Sequence, residues 1–461
     1  LFAKIDNKTP FMNLPEVFKT KLSQILGAEF PAFLKALENP APASVRLNPK
    51  KKTDLLTLNF NGNVSWAKDG RYLSEKPVFE EDPTFHSGAY GVQDASAMFL
   101  EYVLEKIVDR SRPIRVLDLC ASTGQQATLV ASVLGEKDLL VANEIVKSRL
   151  SILKENILKW GFSNVIVSNQ DPETFADLEG FFDVVLVNPQ SSAEGVFANN
   201  SGAISEWSEA NVQMHATRQK RILSAAAMLV APKGVLIYST NTYNATENQE
   251  NVNWLNRTLD FETIDLDVPE DWGITKNERC FQFFPHKTKG HGFFIAAMKN
   301  LSRDAKFVKG KPDLNRLRRE QRAILKDWFR PEVFEELEFL YKNDGNIVAI
   351  RTALLADYGS VLRALAKRSS GIEIGIFKGK DFVPSHAFAL SDLIADSIER
   401  LEVPAVEAMK FLRKENFEFS TGKDGWLLIT FGGNALGWVK KIGDRINNYL
   451  PAEWKIRIGN E

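Results

Sequence analysis

The polar residues from which chemistry could be built sit just past the ends of apolar runs. IRVLDL (114–119) opens into a turn of Cys120, Ala121, Ser122, Thr123, Gly124, Gln125 and Gln126. DLLVANE ends on Glu144, NVIVSN leads to Asp171, FFDVVLVN ends on Asn188, and GVLIYST is followed by Asn241. A continuous apolar run of this kind reads as a buried parallel strand whose C-terminal end faces a cleft. An acid closing the second such strand is placed to accept hydrogen bonds from the hydroxyls of a ribose lying over the first turn. The turn holds a single glycine, Gly124, where dinucleotide loops need several, and it lacks the Lys-Ser/Thr pair that grips a triphosphate. S-adenosylmethionine has no phosphate, so it is the adenosyl cofactor this turn excludes least. A plain βαβ unit without a ligand is the competing reading.

Positioning those residues takes a sheet with helices between its strands. Helical spacing follows Gln126 (Leu129, Val130, Val133), and residues 145–160, 205–230 and ENQENVNWLN (247–256) also read as helices. With FETIDLD and GFFIAAM (292–298) the pattern reaches seven strands. Right-handed crossovers then bring Ser122 to Gln126, Glu144, Asp171, Asn188 and Asn241 to one edge of the parallel strands.

Composition narrows the function. The 461 residues are enough for two to four domains, and 58 Lys and Arg against 59 Asp and Glu leave a net charge of −1, so nucleic acid would be held by local patches rather than a global field. Two cysteines and five scattered histidines point to neither a disulfide framework nor a metal centre. The first residues, beginning at Leu1, lack the apolar stretch of a signal peptide, and no run approaches the ~18 apolar residues of a membrane span. A cytoplasmic protein is expected, with no membrane partner and, since nothing demands a dimer, a monomer.

Either side of the sheet lie smaller units. Residues 14–37 carry helical spacing broken by NPAPAS (39–44), and short strands follow to Phe85; Arg46 and Lys50 to Lys52 could touch phosphate or form a charged rim. In HSGAYGVQDASAMFLEYVLEKI (86–107) the glycines near Gln93 and Asp94 suit either close approach to a ligand or an ordinary helix entry. Lys299 to Lys326, with Arg316, Arg318 and Arg319, is the best local candidate for a phosphate-tracking surface, its alternative being a solvated face. From Gly371 onward IEIGIFKG, WLLITF, LGWVKKI and WKIRI read as strands with helices at 389–401 and 403–414, and Trp426, Trp438 and Trp454 read as core before base-stacking residues.

Taken together, SVRLNP, YGVQDASAMFL, VLDLCA, VANEIVKSRLSILKENILKWG, EWSEANVQ, RQKRIL, LIYST, FFPHKTKG and VPSHAFALS make the chain resemble the Sun family of RNA cytosine-5 methyltransferases, in particular its RsmF-like branch acting on ribosomal RNA. The resemblance implies a doubly wound, seven-stranded Rossmann-like methyltransferase domain (111–300) that uses S-adenosylmethionine. It also implies an RNA-binding N-terminal helical and α+β region (1–110), a basic linker and helical region (301–370) and a C-terminal α+β, PUA-like RNA-binding domain (371–461). Glu144 matches the family's ribose-binding acid and Asp171 the residue at the adenine amine.

The departures from the family fall on its pocket motifs. Where the first turn reads C-A-A-P-G-G-K-S, this chain has Cys120 to Ala127, with Gln126 for the lysine and Gln125, a side chain where backbone would approach the methionine moiety, for a glycine. D-A-P-C-S-G-E-G becomes Asn188 to Gly195, with Asn188 for the acid and Ser191 for a cysteine; S-T-C-T-Y-N-P becomes Ser239 to Ala245, with Asn241 for the nucleophilic cysteine. Gln282 stands for the arginine before F-F-P-H. The resemblance therefore implies ribosomal RNA as partner, weak or lost S-adenosylmethionine binding and severely impaired cytosine-5 transfer, in a natural pseudoenzyme or an altered site. Neither Cys120, expected as a small buried residue, nor Cys280 replaces the nucleophile. The competing readings are residual cytosine-5 transfer, exocyclic-amine transfer using Asn188-Pro189, and a protein-binding scaffold.

Overall fold

Five parallel strands form the middle of the molecule: β1 (Arg115–Asp118), β2 (Leu139–Asn143), β3 (Val165–Ser168), β4 (Phe182–Val187) and β5 (Val230–Thr240), in spatial order β3-β2-β1-β4-β5. The computed structural model describes residues 13–54, 56–302, 315–365, 368–416 and 423–456. Helices cover both faces of the sheet, so β2 and β4 are buried along their whole length. Alternate residues serve opposite cores: Val116, Leu140 and Ile237 pack with Phe99 and Phe283 on one face, and Leu117, Val141 and Tyr238 with Leu223 and Leu255 on the other. The connecting helices are α1 (Gln125–Val133), α2 (Lys147–Trp160), α3 (Ser201–Glu206), α4 (Glu209–Leu229) and α5 (Gln249–Thr258). The helix expected over 205–230 is divided at Trp207, because Ser208 caps a new start by accepting the Asn211 amide at 3.1 Å.

Beyond β5 the sheet turns antiparallel. The remaining strands on that side are β6 (Phe261–Thr263), β7 (Thr275–Asn277), β8 (Cys280–Phe283) and β9 (Phe293–Asn300); β9 lies against β5, β8 and β7 extend the edge, and β6 pairs with the far end of β9. β10 (Arg368–Ser370) closes the opposite edge on β3. All seven predicted strands form. β7, β8 and β10 add three more, making ten among the described residues.

The N-terminal unit, a four-stranded sheet preceded by the helices Glu16–Leu26 and Phe30–Leu37, corrects one expectation. Arg46 is not on a phosphate-binding rim but 2% exposed. Its Nε donates to Gln93 Oε1, Nη1 to Ser132 Oγ and Nη2 to Thr128 Oγ1, each at 2.9 Å, and the guanidinium lies 4.5 Å from the centroid of the Trp160 ring. A charge so partnered can be buried, and it pins this unit to α1 and α2. Lys50 to Lys52 likewise join domains: Lys50 Nζ meets Asp392 at 2.6 Å, Lys51 Nζ donates to the Leu390 carbonyl at 2.6 Å, and the Lys52 carbonyl accepts from Asn434 Nδ2 at 2.7 Å. Asp94 Oδ2 caps the Ser96 and Ala97 amides, so this stretch is a helix entry.

The expected division at 370/371 falls inside a sheet, since strands Leu337–Tyr341 and Ile347–Arg351 pair with Ile372–Lys378 and Asp381–Pro384. A second four-stranded sheet spans 400–448. The helix expected over 389–401 is confined to His386–Leu390; a bridge between Phe329 and Ile394 draws the next segment into extended pairing. WKIRI is no strand where described: Ala452–Trp454 is a helical turn. Trp438 is core, donating Nε1 to the Ser385 carbonyl at 2.9 Å. Among the described residues, no helix is long and apolar enough to cross a membrane, and no His, Cys, Asp and Glu residues cluster as metal ligands.

Candidate functional site

A cavity of about 570 Å³ opens at the C-terminal ends of β1, β2, β4 and β5, within the size range of cofactor sites. It gathers Cys120, Ser122, Glu144, Asp171, Asn188, Ser191 and Asn241 into one wall system. Ala121, Thr123, Gly124, Gln125 and Gln126 stand outside it. Gly124 serves the packing of the turn instead. Its φ is +91°, and a Cβ there would lie 2.8 Å from Leu153 Cδ1, so α2 packs directly on the turn. Gln125 is exposed on the first turn of α1 and does not narrow the cavity. Gln126 is buried, its Nε2 3.5 Å from Ser239 Oγ at the end of β5.

The donor set fits the adenosine half of S-adenosylmethionine. Glu144 Oε1 accepts the Val146 amide at 2.7 Å, which fixes the carboxylate at the end of β2 and leaves the second oxygen without a donor among the described residues. Ile145 and Val146 present exposed apolar surface beside it. Asp171 caps the turn Pro172–Leu178 through the Glu173 amide and faces Arg221 at 3.5 Å. At the opposite end the walls carry the amides of Asn188 and Asn241.

Below the turn, the Asp118 carboxylate is wholly buried, with neither oxygen in a well-formed hydrogen bond. Burial, added to by the Glu144 charge and partly relieved by the Cys120 amide, pushes it up to about 7. Cys120 lines the cavity, but burial and the charges of Asp118 and Glu144 push its thiol well above the ordinary range. Cys280 lies in β8, outside the cavity, and is pushed up to about 12 by burial.

The two loops that carry Asn188, Ser191 and Asn241 are held by buried acids that sequence reasoning did not single out. Glu194 accepts from Thr242 Oγ1 (2.7 Å), the Tyr243 and Asn244 amides (2.9 and 3.1 Å) and Trp207 Nε1 (2.8 Å); burial nonetheless raises its pKa. Glu247 accepts from the Ser192 amide (3.0 Å), Gln219 Nε2 (2.7 Å) and Asn244 Nδ2 (2.8 Å). Gln282 donates Nε2 to the Phe293 carbonyl at 2.9 Å and braces the Thr242 carbonyl at 3.3 Å. The available signal was two acids set among Ser, Thr and Asn in the matching segments. Ala193 holds a left-handed φ of +58°. Inside this frame the carboxamides of Asn188 and Asn241 make no hydrogen bond within the described residues, and Ser191 Oγ accepts only the Ala193 amide, at 3.3 Å.

Arg149, Arg218 and Arg221 line the mouth and are exposed. Arg316, Arg318 and Arg319 are exposed but apart from the cavity, and Arg316 pairs with Glu338 at 3.6 Å. Residues 303–314 of the basic run lie outside the described residues.

Three family descriptions match the chain in order: the N-terminal domain of 16S rRNA methyltransferase RsmF over residues 14–95, 16S rRNA methyltransferase RsmB/F over 106–299, and the methyltransferase RsmF PUA domain over 399–456. The chain is 27% identical over 473 residues to the ribosomal RNA small subunit methyltransferase F of Pectobacterium atrosepticum, covering 96% of each. It is 27% identical over 469 residues to that of Serratia proteamaculans, covering 95% of this chain and 96% of the relative. A methyltransferase homolog from Pyrococcus horikoshii has a TM-score of 0.55 at 22% identity, over 63% of this chain and 96% of its own. NSun6 from the same organism has a TM-score of 0.55 at 18% identity, over 64% and 100%. Both share the fold.

Proposed function

This chain belongs to the RsmF-like branch of the Sun family of ribosomal RNA methyltransferases, and from that premise we propose that it binds ribosomal RNA with a cavity that has lost cytosine-5 methyl transfer. The observation that carries the reading is the presence of Asn241 in the cavity wall; the resemblance implies that the family's nucleophile would stand there. Carbon 5 of cytosine attacks an electrophile only after a thiolate has added to carbon 6 and made the ring an enamine. A carboxamide cannot form that bond. Ser191, at the second cysteine position, offers a hydroxyl that stays protonated at neutral pH. Cys120 faces the same cavity, but a thiol held protonated by burial beside two acids is a poor nucleophile.

Glu144, Ile145 and Asp171 would hold the adenosine half of S-adenosylmethionine, which when bound supplies a sulfonium methyl. With Asn188 neutral, the wall there gives that cation little to pair with, and weak binding is expected. RNA binding is supported by the arginines at the mouth and by the match to a PUA domain.

The test pairs two measurements on the full chain: filter binding to ribosomal RNA across a salt series, and transfer of a tritiated methyl group followed by nucleoside analysis. Salt-sensitive binding with label at background is expected. Label recovered as 5-methylcytosine would reject the loss of transfer, and label in a methylated exocyclic amine would reassign the chemistry.

A further inference from the structure

The segment 193–200 is a partition with two faces. Ala193, Val196 and Asn200 line the main cavity, while Gly195, Ala198 and Asn199 line a second cavity of about 320 Å³ behind it. The neighbouring loop divides in the same way, Asn241 to the first and Tyr243 to the second. One thickness of chain separates the two spaces. That wall is fixed: the Gly195 amide donates to the Asn241 carbonyl at 2.8 Å, its carbonyl accepts the Gly292 amide at 2.9 Å, and a Cβ at Gly195 would fall 2.1 Å from the Gly292 carbonyl oxygen.

The second cavity combines flat apolar walls with a cation. Pro40 and Pro42 of the N-terminal unit and Pro285 of the central domain all line it. Lys289 is exposed at its edge with no partner among the described residues, and His291 Nδ1 lies 3.4 Å from Asp94 Oδ1. Tyr243, 3% exposed, keeps a hydroxyl with no hydrogen-bond partner among the described residues. Proline rings suit the face of a planar heterocycle, and an unpaired lysine beside them suits a phosphate. Neither feature is needed to hold the partition.

We propose that the second cavity receives the base of the nucleotide next to the one entering the main cavity, on the same single strand, with the phosphate between them at Lys289. This rests on the RNA-binding reading and extends it: the chain would read two successive unpaired nucleotides, one on each side of the partition.

The test is fluorescence anisotropy of the full chain with a single-stranded RNA hexamer carrying one cytidine, compared with hexamers made abasic immediately 5′ or 3′ of it or at a terminal position. Removing the base on one adjacent side should weaken binding about tenfold, the order expected for one stacked base, and removing the terminal base less than twofold. Ala198→Phe, which fills the cavity, should bind the intact hexamer about as weakly as the wild type binds the abasic one. Lys289→Glu, at an exposed position that leaves folding intact, should weaken binding and lower the salt slope by about one ion, whereas Lys289→Arg should keep both. Equal affinity for intact and adjacent-abasic hexamers overturns the proposal while leaving the RNA-binding reading in place; no binding of any hexamer or of ribosomal RNA by the wild type overturns both.

Discussion

At the seam between the N-terminal unit and the central sheet, a buried guanidinium finds three hydrogen-bond partners and an aromatic face; in the cavity, the neutral amides of Asn188 and Asn241 find none among the described residues. The more demanding group is the one satisfied. A buried charge without partners would cost several kcal/mol, so the stability of the seam depends on its pairing being complete. A half-buried amide facing a cavity can be left to water or to a ligand. The difference teaches that a residue joining the domains is held by complete pairing, while the amides facing the cavity are left free for a ligand.

The comparison is broken or sharpened most strongly at the cavity. Introducing Asn241→Cys and Ser191→Cys, and then Gln126→Lys and Asn188→Asp, should raise tritiated methyl transfer from background by roughly 10⁴- to 10⁶-fold, the scale on which losing an essential nucleophile is felt. A silent quadruple variant would mean that the frame around the cavity is not sound. At the seam, Arg46→Ala should cost about 3–5 kcal/mol in denaturant unfolding by stripping a buried network of its cation. The salt slope of RNA binding should not change, because Arg46 touches no phosphate.

Smaller effects probe the floor and the partition. Asp118 has a native pKa of about 7 against an ordinary value of 3.8, so the folded chain holds more protons than the unfolded chain between those limits, and stability falls as pH rises through that window. Asp118→Asn should therefore stabilise the protein by on the order of 2 kcal/mol at pH 8, and the gain should shrink toward pH 4. Ala193→Gly should add about 1 kcal/mol in thermal unfolding by relieving a left-handed backbone at φ +58°.

The parallel strands were legible because their apolar runs are long and end in polar residues, and the cavity was legible because those ends converge once the crossovers share one hand. Arg46 was misread because its partners, Gln93, Thr128 and Ser132, lie far along the chain, and an arginine bound for burial looks the same in sequence as one bound for phosphate. Lys50 to Lys52 were ambiguous for the same reason. The hairpin Leu337–Arg351 was absorbed into a linker because its sheet is completed only by strands beyond residue 370. Glu194 and Glu247 were invisible as organising residues, since nothing in their spacing shows that two acids without a cation will be buried and bridged by amides and hydroxyls.

The central claim, that an amide in the nucleophile's place leaves cytosine unactivated, is met most directly by incubating the unmodified chain with S-adenosylmethionine and a 5-fluorocytidine-substituted ribosomal RNA fragment, with the restored quadruple variant alongside. Denaturing electrophoresis should show a covalent protein–RNA band for the variant and none for the unmodified chain. A stable band from the unmodified chain would contradict the account.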